Sequence, residues 1–167
     1  HDVAAKVFTA IKDIDYKSDV KLSATYREPI VRWRHPSPAT IAWAEAKLQE
    51  PETDSRRADL PRIYAQRALS LVDHPKEGPV PVQLLRIGDG VIGTMPFEVF
   101  CEIGLEFKKH FSGKPAILAS LSHGYFGYLP SPAQHPLGGY ETWLGTNRVE
   151  PETSDVLLKN LVEMADQ

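Results

Sequence analysis

Apolar residues recur along this chain with two different periods, and the changes of period mark its elements. Val3, Val7, Ile11 and Ile14 fall at helical spacing, which predicts an amphipathic helix near residues 2–14. Leu22, Ala24 and Tyr26 then alternate with Lys21, Ser23, Thr25 and Arg27. That two-residue period predicts a half-exposed strand, carried past a bend at Pro29 to Trp33. His35-Pro36-Ser37-Pro38 breaks the run. Thr40 is placed to cap a helix through Ile41, Ala44, Ala46 and Leu48. Pro51-Glu52-Thr53-Asp54 reads as a polar loop, and a second helix over about Leu60 to Leu71 buries Ile63, Ala68 and Leu71. These two helices read as a surface pair without chemistry.

Pro75-Lys76-Glu77-Gly78-Pro79 reads as an internal linker. It divides a helix–strand–helix segment, 1–79, from a second segment, 80–167, the two forming one compact unit. Val80 to Ile87 and Val91 to Met95 predict strands, with Asp89-Gly90 as the hairpin signal between them. Pro96 is expected to open a helix with Phe100, Ile103, Phe107 and Phe111 on one face. The continuous apolar run Ala116 to Leu121 predicts a buried strand. A glycine- and aromatic-rich loop follows, then a last helix capped by Thr153 or Ser154, with Leu158, Leu161, Val162 and Ala165 as its apolar stripe. The order of elements predicts an α+β or α/β fold, a mixed sheet flanked by helices.

Composition narrows the function classes. The chain has 167 residues, 42% of them hydrophobic and 25% charged, with a net charge of −3. A chain of this size buries roughly 70% of its unfolded surface. Without a dense Lys/Arg cluster, nucleic acid is not an expected partner. Arg27, Arg32 and Arg34, interleaved with Trp33 and His35, read as a solvated strand face. The single cysteine, Cys101, excludes an intrachain disulfide and reads as a buried, inert thiol among Phe100, Ile103 and Phe107. No apolar run reaches the length of a membrane span, and no signal peptide is evident. The first residue is His1 rather than Met, which reads as a processed or cut end.

Candidate chemistry concentrates after residue 95. Glu98 is expected in the first turn of a helix, near the end of the sheet where α/β proteins place their sites; a first-turn glutamate also serves helix stability alone. Tyr125 and Tyr128 follow the 116–121 strand, and Tyr140 follows Gly138-Gly139 and precedes Glu141. Aromatic side chains in such loops pack on the core or line a ligand cleft. Of six histidines, His123 and His135 are the one plausible metal pair, and no His-Glu-x-x-His or G-x-S-x-G string occurs.

The stretch from about Leu84 to the end resembles the last part of the catalytic domain of the neutral/alkaline ceramidase family. Three motifs carry the resemblance in order. They are Met95-Pro96-Phe97-Glu98 after the strand pair, Gly124-Tyr125-Phe126-Gly127-Tyr128-Leu129-Pro130, and Gly138-Gly139-Tyr140-Glu141-Thr142. The resemblance implies a zinc-dependent amide hydrolase acting on N-acylsphingosines, exported to the periplasm or secreted. It implies Glu98 and Tyr128 as metal ligands and Tyr140 as a catalytic residue beside the amide. Tyr125 and His123 would contact substrate. The family's two zinc histidines and its serine motif come from earlier in the chain, so the expected partner is a missing N-terminal part, and the expected substrate a lipid-like amide. With two oxygen ligands, this chain is expected to hold no zinc stably by itself. Phe97 and His123 depart from the glycine and asparagine usual in the family. Two other classes fit the residues: a non-catalytic module binding lipid or carbohydrate, and a structural domain in which Glu98, Tyr128 and Tyr140 do not converge.

Overall fold

A computed structural model describes residues 1–52 and 59–166. Thr53 and Asp54, assigned to the polar loop from sequence, lie outside the described residues. The chain opens with α1 (Asp2–Ala10) and a 3-10 turn, Ile11–Asp13. The predicted helix is thus right in place but shorter in regular form, and its Val3, Val7, Ile11 and Ile14 are all exposed. β1 (Leu22–Arg27) and β2 (Ile30–Arg32) replace the single bent strand. Pro29 separates them, since its ring cannot donate to a ladder, and they join different sheets.

Helix α2 (Pro38–Gln49) is capped by Ser37, whose hydroxyl accepts from the Thr40 amide at 3.1 Å. Thr40 is therefore not the cap. Pro38 occupies the first helical position, where its missing N–H costs nothing. Removing the cap oxygen in Ser37→Ala should lower stability by about 1 kcal/mol, read as a shift in the urea midpoint at unchanged m. Helix α3 (Leu60–Leu69) is capped by Asp59. Ala44, Ala65 and Ala68 form a small core between α2 and α3, where side chains this short let the backbones approach closely.

The supposed linker is a strand: β3 (Glu77–Pro79) pairs antiparallel with β2. β4 (Val82–Ile87) and β5 (Gly90–Thr94) form the predicted hairpin. Ile87 faces Gly90, so the turn residues are Gly88 and Asp89, one position earlier than the Asp-Gly signal suggested. Gly88 takes φ 59°, the first-position glycine that such a turn favours.

β6 (Glu98–Val99) precedes α4 (Cys101–His110), and β7 (Ala116–Ala119), β8 (Tyr128–Leu129) and α5 (Thr153–Glu163) follow. Glu152, not Thr153 or Ser154, stands at the N-cap of α5, and both of those residues are buried inside its first turn. The apolar residues of α5 that are fully buried are Leu157 and Leu161, so Leu157 rather than Leu158 leads its apolar stripe. Cys101 is exposed, with its thiol 3.5 Å from a Glu102 carboxylate oxygen. Phe100 is the N-cap residue, and the side chain after it turns outward.

The main sheet has the order β1-β4-β5-β7. β1, β4 and β5 are antiparallel neighbours, and β7 joins β5 in parallel through the α4 crossover. This mixed sheet with helices makes the fold α+β. Val82, Leu84, Val91, Phe107, Leu157 and Leu161 pack between one sheet face and α4 and α5. The opposite face carries Leu22, Leu85, Ile87, Ile92 and Ile117, in register across all four strands. Leu22, Ile87 and Ile117 are more than half exposed there, so β7 is a half-exposed edge rather than a buried strand. Among the described residues no helix is long and apolar enough to cross a membrane.

Candidate functional site

The site forms where three loops are tied together by backbone bonds. β6 is a two-residue strand squeezed between the end of β5 and the start of α4. It pairs in parallel with β8, so that Glu98 and Tyr128 are direct register partners. The Glu98 amide donates to the Gly127 carbonyl at 3.0 Å, and the Tyr128 amide donates to the Thr146 carbonyl at 3.0 Å. Glu98 therefore does not sit in the first turn of a helix. It projects from a strand, and the helix dipole argument for it lapses.

Gly127 makes the second tie possible. Its φ is 90°, and a Cβ built on it would overlap the Thr146 carbonyl oxygen. Only glycine supplies both the conformation and the space.

The side chains meet in one pocket of about 330 Å³ that Glu98, Tyr125, Tyr128 and Tyr140 line. The Tyr125 hydroxyl donates to Glu98 Oε1 at 3.0 Å. The Tyr128 and Tyr140 hydroxyls share a hydrogen bond of 2.9 Å, their rings edge to face at 5.4 Å. The bond to Tyr140 and then the Glu98 carboxylate hold the Tyr128 phenol well above its ordinary range. Burial and the Glu98 contact raise that of Tyr125. A charged carboxylate that accepts a hydrogen bond from a phenol disfavours a second negative charge beside it.

Behind the tyrosines lies an arginine that the sequence reading placed on a solvated face. Arg34 is half-buried, and one terminal nitrogen donates to the Thr142 carbonyl at 2.7 Å and to Asn147 Oδ1 at 2.8 Å. Asn147 is 1% exposed and passes the tie forward, its amide donating to the Tyr128 carbonyl at 3.0 Å. One guanidinium thus fixes the segment that carries Tyr140 and the strand that carries Tyr128. Burial lowers its pKa from the usual arginine value, yet the group stays charged under any ordinary condition. Arg27 and Arg32, by contrast, reach Glu163 and Glu152 at the surface.

Helix α3, read from sequence as free of chemistry, forms another wall with Ile63, Tyr64 and Arg67. Arg148 closes the pocket. A helical period announces which residues face the core, not which polar ones face a cleft, so no signal in the sequence singled these out. Next to the polar pocket lies an apolar one of about 520 Å³, lined by Trp43, Ala68, Trp143 and Leu144 among others. Leu60 and Tyr64 line both.

His123 stands apart from this cluster. Its ring bonds Gln83 at 3.2 Å and meets Tyr26 edge to face. Its φ of 67° turns it out of the loop that carries Tyr125. His135 lies instead where burial and the charge of Arg34 lower its pKa. The two histidines have different neighbours, and among the described residues no three His, Cys, Asp or Glu side chains converge as a metal site would need.

No family model matches the chain, and no curated protein matches it. Its fold is similar to that of neutral ceramidase from Pseudomonas aeruginosa, with a TM-score of 0.54 and 16% identity over 87% of this chain and 28% of that one. It is similar to a ceramidase complexed with C2, with a TM-score of 0.55 and 14% identity over 87% of this chain and 30% of that one. At these identities the likeness is one of fold. The chain spans less than a third of the length of either ceramidase.

Proposed function

We propose that this chain is the C-terminal part of an exported, zinc-dependent amide hydrolase of the ceramidase type, acting on a lipid-like amide. The observation that carries the reading is the register pairing of Glu98 with Tyr128, which sets two hydrogen-bonded pairs, Tyr125–Glu98 and Tyr128–Tyr140, side by side in one pocket.

The donor set fits zinc in part. Carboxylate and phenolate oxygens are acceptable ligands, but a catalytic zinc takes three protein ligands and keeps one position open. Glu98 and Tyr128 would supply two, and the remainder would come from outside this chain. The chemistry a zinc held there would supply is a lowered pKa for a bound water and polarisation of a carbonyl. In this reading Tyr125 orients the Glu98 carboxylate through its 3.0 Å bond. Tyr140, held beside Tyr128, is the hydrogen-bond donor for a developing oxyanion. The apolar pocket beyond Leu60 and Tyr64 suits an alkyl chain on the same substrate.

Two measurements test this. Incubated with zinc and desalted, the isolated chain should retain far less than one equivalent of metal and cleave no N-acylsphingosine. Joined to an upstream part that brings two histidines, it should release the free amine only with zinc. Near-stoichiometric metal on the chain alone, or cleavage that survives chelation, would overturn the shared-site reading. A second reading, a non-catalytic lipid-binding module, draws on the same apolar pocket with Trp43 and Trp143 at its walls. It expects lipid binding with no metal dependence and no amide cleavage in any longer form.

A further inference from the structure

Beyond the tyrosine pocket, on the far side of Arg67 and Arg148, is a second, smaller cavity of about 140 Å³. Arg67, Ser70, His74 and Arg148 line it together with Leu71 and Gly145. No carboxylate is among them. Arg27, Arg32, Arg62, Lys47, Lys109 and Lys159 each find a carboxylate. Among the described residues, neither Arg67 nor Arg148 has such a partner.

Arg67 is nonetheless held in place. Its Nη1 donates to the Thr146 hydroxyl at 3.2 Å, and its guanidinium lies over the Tyr64 ring, 5.1 Å from the centroid. Its stem runs across Gly145, where a Cβ would come within 2.7 Å of the Arg67 Cβ. Gly145 has φ 91°, so the crossing needs glycine for its backbone as well as its space. Arg67 is exposed at the rim, its guanidinium held by the Thr146 hydroxyl and the Tyr64 ring, and without a carboxylate partner it is placed to meet an oxyanion with paired, planar N–H donors. The volume is that of about five waters at ~30 Å³ each, room for one such group.

We propose that this cavity is an anion subsite that takes a carboxylate or phosphate group borne by the substrate. The inference rests on reading the tyrosine pocket as the place of the scissile amide. Arg67, Gly145 and Arg148 line both spaces, so one small molecule reaches from one to the other. Glu98 repels an anion from the first space, and the two arginines draw it into the second. The preferred substrate is then an N-acyl amine whose amine part carries an acidic group.

The test needs no metal. In the ¹⁵N-labelled chain, sodium phosphate titrated against sodium chloride of equal ionic strength should shift two arginine Nε–Hε signals saturably in the millimolar range. Arg67→Gln and Arg148→Gln should each weaken that binding by about tenfold or more, the loss of one charge-assisted contact. Arg32→Gln, which breaks a pair at a different surface, should leave it unchanged. Shifts that chloride reproduces, or that persist in the doubly substituted chain, overturn the subsite. A second arm compares N-lauroylglycine with N-lauroylethanolamine, which share the amide and the alkyl chain and differ in the acid. Wild type should prefer the glycine conjugate at least about tenfold and Arg148→Gln should not. Phosphate binding without that preference overturns the claim that the anion belongs to the substrate. Since zinc is absent throughout, failure here leaves the Glu98–Tyr128 reading standing, and failure of metal retention leaves the arginine signals unaffected. The dispersion of the amide spectrum reports whether each variant is folded.

Discussion

Gly127→Ala should cost about 2–6 kcal/mol of folding stability. Two terms combine. A non-glycine residue held at φ 90° is strained by about 1–3 kcal/mol. The new Cβ would overlap the Thr146 carbonyl oxygen, and overpacking of this kind typically costs a further 1–3 kcal/mol. Neither partner is free to move aside. The same carbonyl accepts the Tyr128 amide at 3.0 Å, and Gly127 and Asn147 are bridged antiparallel. The variant must either unfold locally or separate the Tyr128 strand from residues 146–147. Urea unfolding followed by far-UV circular dichroism measures the loss. A midpoint within error of wild type would mean that the loop backbone has an alternative path, and the account of how Tyr128 is positioned would fail with it.

Arg34→Met should cost about 2–4 kcal/mol, for a different reason. Methionine keeps much of the stem volume but abandons two acceptors, the Thr142 carbonyl and Asn147 Oδ1. Hydrogen bonds to a charged donor contribute about 1.5–3 kcal/mol each, and a buried acceptor left alone costs more than an exposed one. Asn147 is almost wholly buried, while Thr142 is only half so, which keeps the sum below two full bonds. The loss should be visible beyond stability. With the tie gone, the Tyr140 segment is no longer fixed to the Tyr128 strand, and the cross-peaks between the two rings in a NOESY spectrum should weaken. A variant that loses stability with those cross-peaks intact would make Arg34 a packing residue and not a positioning one.

How much of this was legible in the sequence depended on what each signal encodes. Periodicity located α4, α5 and the β4–β5 hairpin because burial on one face is a repeating property, and it located α1 by the same spacing although that helix buries none of those residues. It failed where the chain changes partners without changing period. Arg27 and Arg32 belong to strands of different sheets, although both stretches read as extended and the phase of their apolar residues shifts only at Pro29. Glu98 was assigned to a helix because Pro96 is a good first residue of one. A parallel pairing with residues 128–129, some thirty positions away, claims Glu98 and Val99 instead. Tertiary hydrogen bonds decided that, and no local window contains them.

The candidate site divides in the same way. Glu98, Tyr125, Tyr128 and Tyr140 were named from motif order, and the fold brings them together. His123 was named with them but faces Gln83 across the sheet end. Arg34, Arg67 and Arg148 were passed over because a polar residue on a strand, a helix and a loop gives the same local signal whether it faces water or a cleft. Their importance lies in what they do not have or in what they span, and both are properties of the assembled fold.

The hydroxyl contact between Tyr128 and Tyr140 has one more implication. Each phenol owns a single proton, and the 2.9 Å bond occupies one of the two. If Tyr140 donates, its proton is unavailable to an incoming carbonyl oxygen. If Tyr128 donates, its oxygen is still protonated and is a poor anionic ligand. Under the proposed function, either arrangement would make the pair a latch that opens before both residues could act, with ligand and latch competing for the same proton. A hydrogen bond of this sort is worth about 0.5–1.5 kcal/mol, so the closed form outnumbers the open one by no more than about tenfold. In the proposed hydrolase such a small bias would hold the two rings in position between catalytic cycles while leaving them ready to yield.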